Sequence, residues 1–137
     1  MRLAKTFDSL RARGEKALVA YLTAGDPSFD ASLAACRAAL RGGADVLELG
    51  VPFSDPMADG PAIQKASERA LNAGMSVART LELTRLLRAE FAQPIVLFGY
   101  YNPLFAYGLE RICADAAKAG ADGFLVVDLP PEEAGDL

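Results

Sequence analysis

The chain has 137 residues, 52% of them hydrophobic, with 14 basic and 18 acidic side chains and a formal net charge of −4. That balance argues against a nucleic-acid-binding or anionic-membrane surface, because both need clustered lysine and arginine. Every apolar run is much shorter than the ~20 residues that span a bilayer, and the first residues, MRLAKTFDSL, lack the apolar core of a signal peptide. We therefore expect a single soluble domain in the cytoplasm.

The absence of histidine narrows the chemistry that is open to the chain. Without imidazole there is no Ser–His pair and no histidine metal ligand, so carboxylates, tyrosine, lysine or a cofactor must move any protons. Cys36 and Cys113 lie far apart in sequence and each falls in a helical pattern, which predicts free thiols. The acidic side chains are therefore the candidates for catalysis, and no metal site is predicted.

Helical and strand-like patterns alternate along the chain. Apolar residues at helical spacing, such as Leu3, Phe7 and Leu10, predict amphipathic helices, and short continuous apolar runs predict buried strands. In chain order the predicted elements are a helix ending near Gly14, a strand over 17–23, a helix over 29–41, a strand over 45–51, helices over 61–72 and 77–91, a strand over 94–100, a loop over 101–108, a helix over 109–119, a strand over 122–130 and the first turn of another helix over 130–137.

This order predicts an α/β protein with a parallel sheet that is covered by helices on both sides. Two architectures fit, an open doubly wound sheet and part of an eight-stranded (β/α) barrel. The tripeptide Gly-Ala-Asp precedes the second strand, at 43–45, and the fourth strand, at 120–122. A unit that recurs after two β/α modules is typical of a barrel built by duplication, although the same tripeptide is also a good helix stop.

Glu48 raises the main functional question, because it stands in the apolar strand segment Val-Leu-Glu-Leu. It lies near the carboxyl end of its strand, which is the end where barrel enzymes place their chemistry. An ionised carboxylate is costly to bury there unless a reaction uses it or a cation pairs with it. Glu48 is therefore either a proton shuttle or the partner of a lysine or arginine.

The other polar candidates also have two interpretations each. Asp59 follows in the next loop. It could lie with Glu48 at the mouth of the barrel, the end formed by the carboxyl ends of the strands, or it could cap the helix that begins at Pro61. Asp55 and Asp26 fit turn chemistry. Three further side chains fall near the carboxyl ends of strands, where they could line one mouth or simply pack; they are Tyr21, Tyr100 and Asp128.

Four segments together resemble one known family. The longest is LELGVPFSDPMADGPAIQ, and TAGDP, GYYNPLFAYG and VVDLPPEE stand in the same order and spacing as in the tryptophan synthase alpha subunit family. The resemblance extends over essentially the whole chain. It implies a (β/α)8 TIM barrel, of which this chain would cover about the first four β/α units after an N-terminal helix, so that residues 1–137 form the N-terminal half of a single barrel domain.

The resemblance also implies an activity, namely the retro-aldol cleavage of indole-3-glycerol phosphate to indole and glyceraldehyde 3-phosphate in tryptophan biosynthesis. Glu48 matches the acid–base glutamate of the family, and Asp59 matches the aspartate that stabilises positive charge on the indole N–H. Positions around the indole pocket are matched by Tyr21, Phe98, Tyr100, Leu125 and Val127. Asp55, Pro56 and Asn102 match loop positions that face the beta subunit.

Partners and cofactors follow from the same resemblance. The family implies an alpha2-beta2 complex with the beta subunit, which carries pyridoxal phosphate, and no cofactor in this chain. Barrel phosphate sites come from the last strands, so the phosphate-binding residues are expected outside these 137 residues. The alternative is a catalytically incomplete half-barrel that acts only as an assembly or interaction module.

Overall fold

The computed structural model describes residues 1–136, and it contains four β/α units after an N-terminal helix. The strands and helices alternate as the apolar patterns predict, with boundaries that mostly agree to within two residues. The elements are α1 (Arg2–Ala12), β1 (Val19–Thr23), α2 (Phe29–Arg41), β2 (Val46–Gly50), α3 (Pro61–Asn72), α4 (Val77–Glu90), β3 (Ile95–Gly99), α5 (Tyr101–Tyr107), α6 (Leu109–Ala119), β4 (Gly123–Val126) and a 3₁₀ helix over Pro131–Asp136.

Two predicted segments differ from the structure. The predicted loop over 101–108 is wrong, because residues Tyr101–Tyr107 form α5. Pro103 falls in the first turn, where its missing N–H breaks no helical hydrogen bond, and Asp128 accepts a hydrogen bond from the Tyr101 amide at 2.8 Å. The fourth strand is also shorter than predicted and ends at Val126. The predicted final helical turn is a 3₁₀ helix as far as the described residues extend.

The four strands form one parallel sheet in the order β1-β2-β3-β4. Its register sets Tyr21 beside Glu48 and Glu48 beside Val96. Two residues further along, Thr23, Gly50, Phe98 and Leu125 form the next row across the sheet. Because partners in register point to the same face, these two rows belong to one side of the sheet, near the carboxyl ends of its strands.

The opposite side of the sheet packs against the helices. Alternate strand residues such as Leu47, Leu49 and Ile95 are fully buried and join the helix side chains in one apolar cluster. Ser28 and Ser76 cap α2 and α4, each accepting a hydrogen bond from the backbone N–H three residues on, at 3.2 Å. The helix layer therefore fixes the sheet, and the Glu48 side remains available for other contacts.

At the amino ends of the strands, the two Gly-Ala-Asp segments make the same contact. The Asp45 amide donates to the Leu18 carbonyl and the Leu18 amide donates to the Asp45 carboxylate, both at 2.8 Å. Asp122 and Ile95 exchange the same two bonds at 2.8 and 2.9 Å. Each aspartate thus ties the beginning of its strand to the beginning of the preceding strand, a role that neither sequence interpretation of the repeat included.

Candidate active site

Glu48 lies on the side of the sheet that faces away from the helices, two residues before the end of β2. It is half-buried, between Tyr21 on β1 and Val96 on β3. Among residues 1–136, no lysine or arginine nitrogen forms an ion pair with its carboxylate. The structure therefore does not place Glu48 in the cation pair that the sequence left open.

Gly50 shapes the space above Glu48. The Tyr21 ring leans across the sheet toward β3, where it meets the Phe98 ring edge-to-face with centroids 5.2 Å apart. The Tyr21 hydroxyl lies over Gly50, so close that a Cβ there would stand 2.3 Å from the oxygen. The missing side chain of Gly50 is thus what lets two aromatic rings and a carboxylate share one corner of the mouth.

Asp59 belongs to the loop between β2 and α3, and it does not cap that helix. The N-cap residue of α3 is Gly60, which has no side chain to accept a hydrogen bond. Asp59 is half-buried, with its amide bonded to the Pro56 carbonyl at 3.0 Å and its carbonyl accepting a hydrogen bond from the Gln64 side chain at 2.8 Å. The capping interpretation of Asp59 is therefore wrong, and its carboxylate contacts the Tyr100 hydroxyl instead.

The Glu48 and Asp59 carboxylates both affect the pKa of the Tyr21 phenol. Burial raises the pKa of the Tyr21 hydroxyl, and the nearby negative charges of Asp59 and Glu48 raise it further. Burial likewise raises the pKa of Tyr100, with Asp59 again contributing. Both phenols therefore remain protonated at neutral pH, as neutral hydrogen-bond donors or acceptors beside two acidic groups.

Tyr100 is buried beneath the loop and does not stand open to the mouth. Its side chain is 3% exposed, and its hydroxyl accepts a hydrogen bond from the Ala58 amide at 2.9 Å. Its ring also lies against Phe53, with centroids 5.5 Å apart. The sequence pattern identified a tyrosine at the right strand end, but this contact with the loop could not be predicted from it.

The remaining candidates divide between the mouth and its rim. Leu125 in β4 and Val127 just after it are exposed, at 39% and 37%, and the register places Leu125 on the same side of the sheet as Glu48. Asp26 is held by Arg69 of α3 through two hydrogen bonds of 2.7 and 2.8 Å, in keeping with a structural role in its turn. Asp128 accepts from the Tyr101 amide and so stabilises the first turn of α5.

The three residues predicted to face a partner lie on two separate segments. Asp55 and Pro56 belong to the β2–α3 loop, and Asn102 lies in the first turn of α5 instead of in a loop. Asp55 and Asn102 are exposed. A groove of about 700 Å³ runs between this loop and α3, and its described lining includes Asp55, Pro56 and Lys65 but neither Glu48 nor Asp59. This groove therefore belongs to the rim formed by the β2–α3 loop and α3, away from Glu48 and Asp59.

The arrangement suits proton transfer between carboxylates and a bound molecule. A half-buried glutamate without a cation partner among residues 1–136 can give or take a proton, and Asp59, whose charge also reaches Tyr21, can stabilise positive charge. Within residues 1–136, no group of three metal-ligating side chains is assembled, and no helix is long and apolar enough to cross a membrane.

Four consecutive β/α units in a parallel sheet, with polar groups collected at the carboxyl ends of the strands, define the chain as part of a (β/α)-barrel protein. The sequence model described as tryptophan synthase alpha chain matches residues 7–137, and the chain belongs to that family.

Individual relatives agree with this assignment. A tryptophan synthase alpha chain of Desulfatibacillum aliphaticivorans is 57% identical over 132 residues, which are 96% of this chain and 50% of the relative. The crystal structure of tryptophan synthase subunit alpha from Legionella pneumophila is 46% identical and superposes with a TM-score of 0.95 over 98% of this chain and 52% of that one. A structure of tryptophan synthase from M. tuberculosis, in an aminoacrylate- and BRD0059-bound form, is 41% identical with a TM-score of 0.94, over 98% of this chain and 53% of that one. The chain therefore spans about half the length of the relatives that it matches.

Proposed function

We propose that this chain supplies the N-terminal half of a barrel domain that cleaves indole-3-glycerol phosphate to indole and glyceraldehyde 3-phosphate. The observation that carries the proposal is the half-buried Glu48 carboxylate, which has no cation partner among residues 1–136 and lies beside the neutral phenol of Tyr21. Membership of the tryptophan synthase alpha family supports it.

In this mechanism Glu48 carries the proton between the glycerol hydroxyl and the indole ring carbon. Asp59, on its loop, stabilises the positive charge that develops on the indole N–H. The indole ring would lie against the apolar groups of the same side of the sheet, between the Tyr21–Phe98 pair and Leu125 with Val127. The phosphate would be held by residues outside this chain, because barrel phosphate sites come from the last strands.

The exposed rim would face the beta subunit in a cytoplasmic alpha2-beta2 complex. Asp55, Pro56 and Asn102 are the proposed contacts, and the groove beside α3 adjoins the first two. Pyridoxal phosphate belongs to the beta subunit in this proposal. The chain itself works through carboxylates and a phenol alone.

Indole release tests the proposal directly. The chain is first assayed by itself with indole-3-glycerol phosphate as substrate. It is then assayed after addition of the part of the Desulfatibacillum relative that this chain does not match, which would complete the barrel. Glu48→Gln should reduce release by roughly 10²- to 10⁴-fold, the usual contribution of a positioned acid–base group. Glu82→Gln, an exposed glutamate on α4, is the matched control and should leave the rate unchanged.

Equal release from the Glu48→Gln variant and the unsubstituted chain would remove Glu48 from the mechanism. An absence of release from the completed barrel would contradict the proposed activity. The second candidate function, a non-catalytic assembly module, is favoured by one observation, namely that β1 and β4 each pair with a single strand within residues 1–136. Such a module would bind the second half without releasing indole.

A further inference from the structure

Tyr100 is the first residue after β3, and the loop that carries Asp59 wraps around its side chain. The Phe53 ring, at the beginning of the loop, lies 5.5 Å from the Tyr100 ring, centroid to centroid. The Ala58 amide, at the end of the loop, donates to the Tyr100 hydroxyl at 2.9 Å. The tyrosine is 3% exposed, whereas Met57 and Ala58 are exposed. A buried phenol thus contacts a loop whose Met57 and Ala58 are open to solvent.

The other backbone hydrogen bonds of the loop are local. The Met57 amide bonds to the Asp55 carbonyl at 2.9 Å, and the Asp59 amide bonds to the Pro56 carbonyl at 3.0 Å. The Gln64 side chain reaches back to the Asp59 carbonyl from the first turn of α3. The Tyr100 hydroxyl joins this segment to the residue that follows β3: it accepts a hydrogen bond from the Ala58 amide, and it also contacts the backbone and the carboxylate of Asp59.

We propose that Tyr100 is a positioning residue, whose hydroxyl anchors the β2–α3 loop and so holds Asp59 at the carboxyl end of the sheet. This role is additional to the position around the indole pocket that the family resemblance implies for Tyr100. The anchoring stands on the contacts above, and its consequence for catalysis rests on the proposed function.

The neighbouring residue makes the anchor rigid. The Tyr101 amide donates to the Asp128 carboxylate at 2.8 Å, which fixes the backbone directly after Tyr100. Tyr100 and Tyr101 therefore join the segments that follow β2, β3 and β4. A charged or polar group that is held before substrate binds contributes more to catalysis than one that must be ordered during the reaction, so a fixed anchor favours the role of Asp59.

Amide hydrogen exchange measured by NMR tests the anchor without reference to activity. In Tyr100→Phe the Ala58 amide loses its acceptor, and exchange at Ala58 and Asp59 should become about two- to tenfold faster, as expected for one lost hydrogen bond. Leu97 in β3 should be unaffected. Tyr101→Phe is the matched control, because it removes a hydroxyl for which residues 1–136 provide no hydrogen-bond partner, and it should leave Ala58 unchanged. Unchanged exchange at Ala58 in Tyr100→Phe would overturn the anchor.

Indole release by the completed barrel then separates anchoring from catalysis. Because Asp59 acts on charge that develops in the transition state, Tyr100→Phe should lower kcat about two- to tenfold with little change in KM. Faster exchange at Ala58 with an unchanged kcat would overturn the positioning role. If the unsubstituted barrel releases no indole, the proposed function fails, and the exchange experiment still decides whether Tyr100 anchors the loop.

Discussion

At the scale of single residues, the arrangement of Tyr21 and Phe98 beside Glu48 depends on Gly50, a position without a side chain. Gly50 stands between Thr23 and Phe98 in the register of the sheet. Its backbone needs no glycine-specific conformation, since the residues with positive φ are elsewhere. What requires glycine is the Tyr21 hydroxyl, which occupies the space that a Cβ would take. Side-chain volume, and not backbone freedom, therefore selects the residue.

Gly50→Ala should consequently displace Tyr21 and destabilise the chain. Because the new Cβ would lie 2.3 Å from the phenol oxygen and 2.8 Å from the adjoining ring carbon, the ring must move, and the overpacking should cost about 1–3 kcal/mol in urea unfolding. Gly123→Ala in β4 is the matched control, since a Cβ there meets nothing within 4 Å. Equal stability of the two variants would show that Tyr21 is not confined by Gly50.

At the scale of elements, the two Gly-Ala-Asp segments explain how the beginnings of neighbouring strands are joined. Each aspartate exchanges two hydrogen bonds with the beginning of the preceding strand. They differ in charge environment, because Asp122 also pairs with Arg88 at 2.7 Å and with Arg2 at 2.9 Å. The Asp122 side chain is 4% exposed and that of Arg88 is 14% exposed, so this ion pair is largely removed from water.

This difference predicts unequal costs for the same substitution. Asp122→Ala leaves a largely buried guanidinium without its carboxylate, which should cost about 3–5 kcal/mol of unfolding free energy. Asp45→Ala removes the corresponding contact between strands but leaves no buried charge without a partner, and it should lower the free energy of unfolding by about 1–2 kcal/mol. Urea unfolding of the two variants measures both values. Similar costs would mean that the Arg88 pair contributes little beyond the hydrogen bonds.

The elements were predictable to the extent that local pattern determined them. Strands β1 to β3 and the long helices follow from apolar periodicity and from stop signals such as Gly120. Helix α5 has only seven residues, too few to show a helical period, and a proline such as Pro103 fits both a loop and the first turn of a helix. The Tyr100 anchor and the Asp122–Arg88 pair join residues more than 30 positions apart, and no local pattern encodes such contacts.

For the candidate site too, the sequence predicts positions but does not predict contacts. The position of Glu48 at a strand end predicted that it lies at the mouth, and the structure places it there without a cation partner among residues 1–136. Its role in catalysis stays a prediction, as do those of the other matched residues. Whether Asp59 caps a helix could not be decided from the sequence, because Gly60 and Asp59 are both acceptable next to Pro61.

At the scale of the whole molecule, residues 1–136 form a sheet with two open edges. β1 pairs only with β2, and β4 pairs only with β3. Leu18 and Val19 at one edge and Leu125 at the other are exposed, at 57%, 42% and 39%. A rotation of 180° about an axis parallel to the strands keeps their direction, so a second copy could set its β1 beside β4 in a parallel pair.

This 137-residue chain, studied by itself, should therefore associate through its strand edges at micromolar concentration, because unpaired edge groups and exposed apolar side chains favour such contacts. Leu125→Lys should raise the dissociation constant in sedimentation velocity at least about tenfold, since the ammonium would lose water at the contact. Phe105→Lys is the control, because Phe105 is 61% exposed but belongs to helix α5 and not to an edge strand. A chain that stays monomeric at every concentration would contradict edge pairing. Association that is weakened by Phe105→Lys but not by Leu125→Lys would also contradict it, and would place the contact at α5 instead.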